Sequence, residues 1–339
     1  MRMSPAPEGP RVLFLASGLD SASFRFRVLQ YLPYLRERGA HVVCADLAAA
    51  PGERRRLFAD AASGAYDAVV VHRALLRWPD YLRLRRSVAD YVFDFDDAIL
   101  FRDSARRNPH SWQRRMRFRR MVGGARRVIA GNAYLADLAA RYAAPHRVTV
   151  IPTTVDPGEY PAAEEDGGPA EPIIGWIGTR SNLMYLEAVA PALARVARRG
   201  GPRPRLKLVC DGFVDVPGIE VIRKPWSRRD EAADLRSFQV GIMPLPDDPW
   251  TRGKCACKIL QYFAAGVPVV CSPVGANAEV VEEGRNGYFA RTEDEWASRI
   301  EALLADGEKR RRFGKAGWET VEKRYSVRAN LDGFLAALA

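Results

Sequence analysis

The chain has 339 residues, 47% hydrophobic and 27% charged, which is enough for two ordinary domains with full cores and excludes a disordered chain. Its longest apolar runs, such as 12–16 and 267–271, are strand-sized rather than the roughly 20 residues of a bilayer span, and the first ten residues, rich in proline and glycine, lack the marks of a signal peptide, so a cytoplasmic protein is expected. The net charge of +11 is unevenly placed: residues 1–150 hold 26 arginines, no lysine and 14 acids, whereas 151–339 hold 26 basic and 27 acidic residues.

Residues 12–16 read as a strand, 24–38 as a helix opening near Ser23, and 41–45, 68–71, 91–95 and 127–130 as further short apolar strands. Such runs separated by helical stretches predict a parallel sheet covered on both faces. Arg25 is expected at the opening of the first helix, where the positive end of the dipole suits an anion, and Arg27 at the surface. His72 and Arg73 end one strand. The run Phe93-Asp-Phe-Asp-Asp97 ends the next, its alternation placing Asp94 and Asp96 on one face and Asp97 where it can cap a helix. Asn132 reads as an N-cap at a strand-to-helix junction. Between them, Arg114, Arg115, Arg117, Arg119 and Arg120 interleave with Trp112, Met116, Phe118 and Met121. At about 100° per residue those arginines surround most of a helix, so electrostatic attachment to anionic lipid is expected rather than insertion of an apolar face.

An acidic segment rich in proline and glycine at 156–172 predicts a linker over 161–172. The strand and helix pattern restarts with 173–177, 206–210, 219–222, 240–244 and 267–271, giving a second α/β domain. The loop Gly178-Thr-Arg-Ser-Asn182 follows its first strand, and Trp226 follows the third. Asp247 and Asp248 sit in a loop before the run from Gly253 to Val270, which reads as one helix carrying Lys254 and Lys258 on a single face, ended by Gly266 and followed by a strand. Cations at a helix start favour a diphosphate. Five cysteines, an odd number, and a Cys255-Ala-Cys257 spacing without a histidine nearby predict free thiols filling a helix face and no metal site.

The stretches 17–27, 92–98, 131–142 with Ile151-Pro-Thr-Thr-Val-Asp156, 175–186 and 242–289 resemble the GT-B glycosyltransferases, and among them the retaining family 4. The resemblance is most specific in Gly266-Val-Pro-Val-Val, Pro273-Val-Gly275 and Gly284-Arg-Asn-Gly287. It implies an α/β chain of two Rossmann-like doubly wound domains facing across a cleft. Residues 1–160 would bind the acceptor, 173–327 the nucleotide sugar, and a helix at 328–339 would cross back to the first domain. Donor binding is implied for Gly178, Thr179, Arg180, Asn182, Trp226, Lys254, Lys258 and Gln261, with both lysines on the diphosphate. Where the family has a Glu-x7-Glu pair, this chain has Gly253 and Gln261, so the ribose contact passes to an amide and the earlier carboxylate is missing. Acceptor binding is implied for Ser23, Arg25, Arg27, His72, Arg73, Asp94, Asp96, Asp97 and Asn132, with Asp96 where many relatives have an acceptor-facing histidine. Catalytic roles fall to Asp96, Lys258 and Arg25.

The expected function is therefore transfer of a sugar from a nucleoside-diphosphate sugar, uridine rather than guanosine, with retention and with no metal or other cofactor. The acceptor would be a cell-envelope glycan, a lipid-linked sugar or a natural product. The basic N-terminal half would meet an anionic membrane surface at the inner face of the membrane, and no nucleic-acid partner is expected. The alternatives are a sugar-nucleotide epimerase or hydrolase on the same fold, and a basic binding module without catalysis.

Overall fold

The computed structural model describes residues 9–61, 64–88, 90–161, 171–198 and 203–339. Most of the expected linker, 162–170, lies outside the described residues. The chain divides into two compact units. One comprises Met1–Thr153, Asp248–Cys255 and Val327–Ala339; the other comprises Thr154–Asp247 and Ala256–Ser326.

The first unit is built on β1 (Arg11–Ala16), β2 (His41–Asp46), β3 (Ala68–His72), β4 (Val92–Phe95), β5 (Arg127–Ala130) and β6 (Val148–Val150), all parallel, in the order β2-β1-β3-β4-β5-β6. β3 and β4 are buried at every residue, as parallel strands covered on both faces must be. Alternation sorts β1 between two cores. Leu13 and Leu15 join Phe93, Phe95 and Phe118 on one face. Val12 and Phe14 join Phe24, Val70, Val92 and Phe334 on the other. The last helix, Val327–Leu338, closes this second face: the Phe334 ring lies 4.1 Å from Tyr31 and 6.4 Å from Phe14. Arg126 fixes the end of that helix by donating to Leu338 O at 2.7 Å and Ala339 O at 2.9 Å, which satisfies carbonyls a helix terminus leaves unpaired.

The helix expected over 24–38 is broken in two. Ser21 Oγ caps Ala22–Arg27; Val28, at φ −129°, leaves helical geometry; and after a 3-10 turn the chain resumes as Leu32–Glu37. Pro33 explains the restart, since it lacks an N–H and suits only the first turn of a helix.

The second unit contains β7 (Ile173–Ile177), β8 (Arg205–Cys210), β9 (Val221–Pro225), β10 (Val240–Met243), β11 (Val269–Cys271) and β12 (Gly287–Phe289), again all parallel, in the order β12-β11-β10-β7-β8-β9. The strand expected at 219–222 runs two to three residues later, ending at Pro225. In both sheets the direction of winding reverses once, between β1 and β3 and between β7 and β10. In open parallel sheets that reversal separates the loops at the carboxyl ends and leaves a ligand-sized gap there. The side chains considered next gather at these two points.

Candidate functional site

In the first unit, the carboxyl ends of β1, β3 and β4 bring together Ser23, Arg27, His72, Arg73, Asp94, Asp96 and Asp97. Asp94, on β4 and 1% exposed, is paired with the Arg27 guanidinium and accepts from His72 Nδ1 at 2.6 Å. Arg27 also donates to Ile151 O at 2.5 Å. Burial alone would raise the Asp94 pKa, but the charge of Arg27 and the bond from His72 outweigh it and hold the carboxyl at about 2. On its other side the imidazole meets Ser23 Oγ, 3.0 Å from Nε2, and Ser23 donates to Asp96 Oδ2 at 2.7 Å. With hydrogen on both ring nitrogens each contact has one donor and one acceptor: Nδ1 donates to Asp94, Nε2 to Ser23 Oγ, and Ser23 to Asp96. With hydrogen on Nδ1 only, the single Ser23 proton must serve either Nε2 or Asp96.

Asp96 is largely screened from solvent, its side chain 12% exposed, which opposes its charge, yet Arg73, His72, Arg27 and the Ser23 hydroxyl together lower its pKa. Its Oδ2 is used by Ser23. Its Oδ1 is buried, takes no hydrogen bond among the described residues, and has Arg73 Nε at 3.8 Å. Arg73 pairs with Asp97 and sits at φ +57°, a left-handed conformation that costs any residue with a Cβ free energy and recurs at functional sites. Its backbone N–H donates to Asp94 O at 2.7 Å, so the strained turn is tied to β4. The segment Asp248–Cys255 packs onto this unit. The Cys255 thiol lies 3.2 Å from Asp96 O, and a Cβ on Gly131 would come within 2.4 Å of that sulfur, so only glycine admits the contact. Burial, and next the charge of Asp96, push the Cys255 thiol well above its ordinary range, so it stays protonated and is not a nucleophile.

In the second unit, the helix Cys257–Ala264 runs beneath the reversal between β7 and β10. Tyr262 pins it there: its hydroxyl accepts from Ile177 N at 3.1 Å and donates to Ile242 O at 3.2 Å. One turn earlier on the same face, Lys258 places its ammonium 5.4 Å from the centroid of the Trp176 ring. The Lys258 stem and the Trp176 ring both crowd Gly178, where a Cβ would meet them at 2.7 and 2.5 Å. The following turn is ordered by Asn182 donating to Thr179 Oγ1 at 2.8 Å and by Arg180 N donating to Asp211 Oδ1 at 2.6 Å. Trp226, 44% exposed, is fixed by its Nε1 donating to Glu231 Oε2 at 2.8 Å. Glu231 is buried and also accepts from Tyr160 OH at 2.6 Å, and Gln261 Nε2 reaches the same hydroxyl at 3.5 Å.

Several expectations are corrected. Lys254 is not on the helix with Lys258: it is extended, at φ −71° and ψ 137°, in the first unit, with its ammonium 5.5 Å from the Trp250 ring. The helix cannot begin earlier because Ala256 takes a left-handed conformation, φ +53°. Arg27 is not a surface residue but a buried ion-pair partner. Asp97 caps no helix and pairs with Arg73 instead. In the loop expected to bind the donor, the Arg180 backbone N–H is taken by Asp211. Arg25 is buried, its guanidinium 4.6 Å from the Phe26 ring. Asn132 is the expected N-cap, accepting from Leu135 N at 2.9 Å, and its amide nitrogen donates to Lys254 O at 3.3 Å. Asp248 forms a turn, accepting from Trp250 N and Thr251 N at 2.8 Å each. Glu231 and Tyr160 escaped the sequence reading: one sits in a run of charges and the other beside the linker, and neither position signals burial.

Residues 171–306 match the family model described as Glycosyl transferases group 1. A D-inositol 3-phosphate glycosyltransferase of Nocardia farcinica is 26% identical over 234 residues, which are 61% of this chain and 51% of that protein. The chain thus spans about half the length of this curated relative. Among solved structures, a sucrose-phosphate synthase from Thermosynechococcus elongatus is similar with a TM-score of 0.72 at 16% identity, over 96% of this chain and 98% of that one. HepE from Anabaena, solved in complex with UDP-glucose, is similar with a TM-score of 0.71 at 16% identity, over 97% of this chain and 100% of that one. These matches bear out the expected resemblance to GT-B glycosyltransferases and the expected α/β architecture. The chain takes the GT-B fold of glycosyltransferases, and its residues 171–306 match the group 1 family model.

Proposed function

We propose that this chain is a glycosyltransferase that moves a sugar from a nucleoside-diphosphate sugar to an acceptor hydroxyl, with retention at the anomeric carbon. The observation that carries the reading is Lys258, a cation fixed over Trp176 at the sheet reversal of the unit that matches the family model. As the bond from the anomeric carbon to the diphosphate oxygen breaks, negative charge grows on the leaving group, and a preset cation stabilises that state more than the ground state. Trp226, held by Glu231, offers an exposed aromatic face for a base. A uridine donor is favoured because HepE was solved with UDP-glucose. On the acceptor side the candidate for orienting the hydroxyl is Asp96, whose carboxylate is held in place by Ser23 and Arg73 and whose buried Oδ1 accepts no hydrogen bond among the described residues. Five free thiols suit a reducing compartment, and we place the enzyme in the cytoplasm.

A thermal-shift panel of nucleotide sugars tests the donor. One nucleotide at about 100 times its dissociation constant should stabilise the fold by roughly 2.7 kcal/mol while the others do not. A flat panel would remove the donor reading, and consumption of donor without an acceptor would favour the epimerase or hydrolase alternative.

We further propose that transfer needs no metal. The Asp94-Phe-Asp96 pair looks like a metal-diphosphate motif, but Asp94 is already neutralised by Arg27 and bound by His72, and a metal would have to displace both. Turnover should therefore persist in excess EDTA. Loss in chelator, restored by magnesium or manganese, would return those carboxylates to a metal role.

A further inference from the structure

The arginine-rich stretch between β4 and β5 takes no part in the cluster around Asp96. Between Asp103 and Asp137 the sequence has nine arginines and not one acid. The loop that leaves the carboxyl end of β4 folds on itself through an antiparallel bridge between Phe101 and His110, with Arg102 N donating to Pro109 O at 2.8 Å. It delivers the chain to the helix Trp112–Gly124, capped by Ser111. The apolar stripe of that helix, Phe118, Met121 and Val122, is spent on the core, where Phe118 packs edge-on against Phe93 and Phe95. At about 100° per residue Trp112, Arg115 and Arg119 fall within about 60° of one another, on one flank beside that stripe. All three are exposed, Trp112 to 68%.

Further exposed side chains lie on the segments that flank this helix. Arg106 and Arg107 are exposed in the preceding loop. Arg119 lines an open depression of about 550 Å³ together with Arg141 and Tyr142. Trp78, 52% exposed, begins a neighbouring helix and lies under the Arg120 guanidinium, 5.0 Å from its ring. The acid beside it, Asp80, is already paired with Arg83 at 2.7 Å and Arg54 at 3.7 Å.

We propose that Trp112, Arg115 and Arg119, with Arg106, Arg107 and Trp78 at the margins, form a docking surface for an anionic lipid bilayer. Clustered arginines without acids match a surface of phosphates. Exposed indoles decide between a bilayer and a nucleic acid, because their half-apolar, half-polar rings suit the headgroup level of a membrane. The committed apolar stripe of the helix fixes the mode as well: attachment is electrostatic with indole anchors, and no helix enters the bilayer. This surface stands independently of the transferase reading, since it is measured without nucleotide sugar.

The test uses the full chain and three probes at one ionic strength: phosphatidylcholine vesicles, mixed phosphatidylglycerol and phosphatidylcholine vesicles, and duplex DNA. The expected result is cosedimentation with the anionic vesicles alone, weakening as salt rises, with a blue shift of tryptophan emission that Trp112→Phe diminishes. The triple variant Trp112→Ala, Arg115→Gln, Arg119→Gln should lower vesicle affinity about tenfold or more at an unchanged melting temperature. The charge-matched control Arg229→Gln, Arg311→Gln in the second unit should bind as the parent does. Equal sedimentation with neutral and anionic vesicles, or a triple variant that binds normally, overturns the proposal. Tighter binding to duplex DNA than to vesicles assigns the face to nucleic acid instead.

Discussion

Asp94→Ala should destabilise the first unit by about 3–5 kcal/mol, the typical consequence of removing one partner from a buried ion pair. The substitution leaves the Arg27 guanidinium, 3% exposed, with its charge uncompensated, and takes the acceptor from His72 Nδ1. Repair is the sharper test. Arg27→Met with Asp94→Leu fills similar volume without charge and should recover the part of the loss owed to the stranded guanidinium, because replacing a whole buried pair by apolar residues is often neutral or stabilising even though half of one is costly. The pH dependence has a definite sign. The folded carboxyl titrates at about 2 against an ordinary 3.8, so its contribution is complete above the ordinary value and disappears as pH falls from about 4 towards 2. Denaturant unfolding at neutral pH and at a series of acid pH values should show parent and Asp94→Ala converging over that window. A single variant that costs under about 1 kcal/mol at neutral pH would mean the pair does not hold the unit together.

That ion pair also marks what the sequence could not reveal. Strands buried on both faces, such as β3 and β7, are legible because their residues are apolar, His72 at the end of β3 excepted, and lie in short unbroken runs. The reversal point of each sheet, and with it the neighbourhood of Ser23, His72 and Asp96, follows once those strands are placed. β6 and β12 are three residues long and lie at sheet edges, where too few side chains are buried to write a pattern. Arg27 reads as a surface residue because arginine is seldom fully buried, and its partner is 67 residues away, beyond any local periodicity. Lys254 fails for a local reason: nothing in Cys255-Ala-Cys257 announces the left-handed Ala256 that delays the helix, since alanine rarely adopts that conformation. Glu231 shows the limit from the other side. A carboxylate in a charged run looks solvated, and only the approach of Tyr160 and Trp226 makes it a buried brace.

Lys258→Ala should lower kcat/KM by about a hundredfold or more, the usual cost of deleting a preset charge that stabilises a transition state. The fold should tolerate it. The ammonium over Trp176 contributes on the order of 0.5–1 kcal/mol as a half-exposed cation and ring contact, while the helix itself is pinned by Tyr262 to Ile177 and Ile242. Lys258→Arg keeps the charge but spreads it over a planar group on a longer stem, so it should restore only part of the rate. Gln261→Ala makes the contrast that identifies the role. A contact to ribose is shared by ground and transition states, so its loss should raise the donor KM with kcat less affected. The two variants should therefore separate on kcat, with melting temperatures recorded alongside to exclude misfolding. If Lys258→Ala turned over normally, or lost thermal stability with no change in nucleotide affinity, the lysine would be an ordinary helix cation and the leaving-group site would lie elsewhere in the second unit.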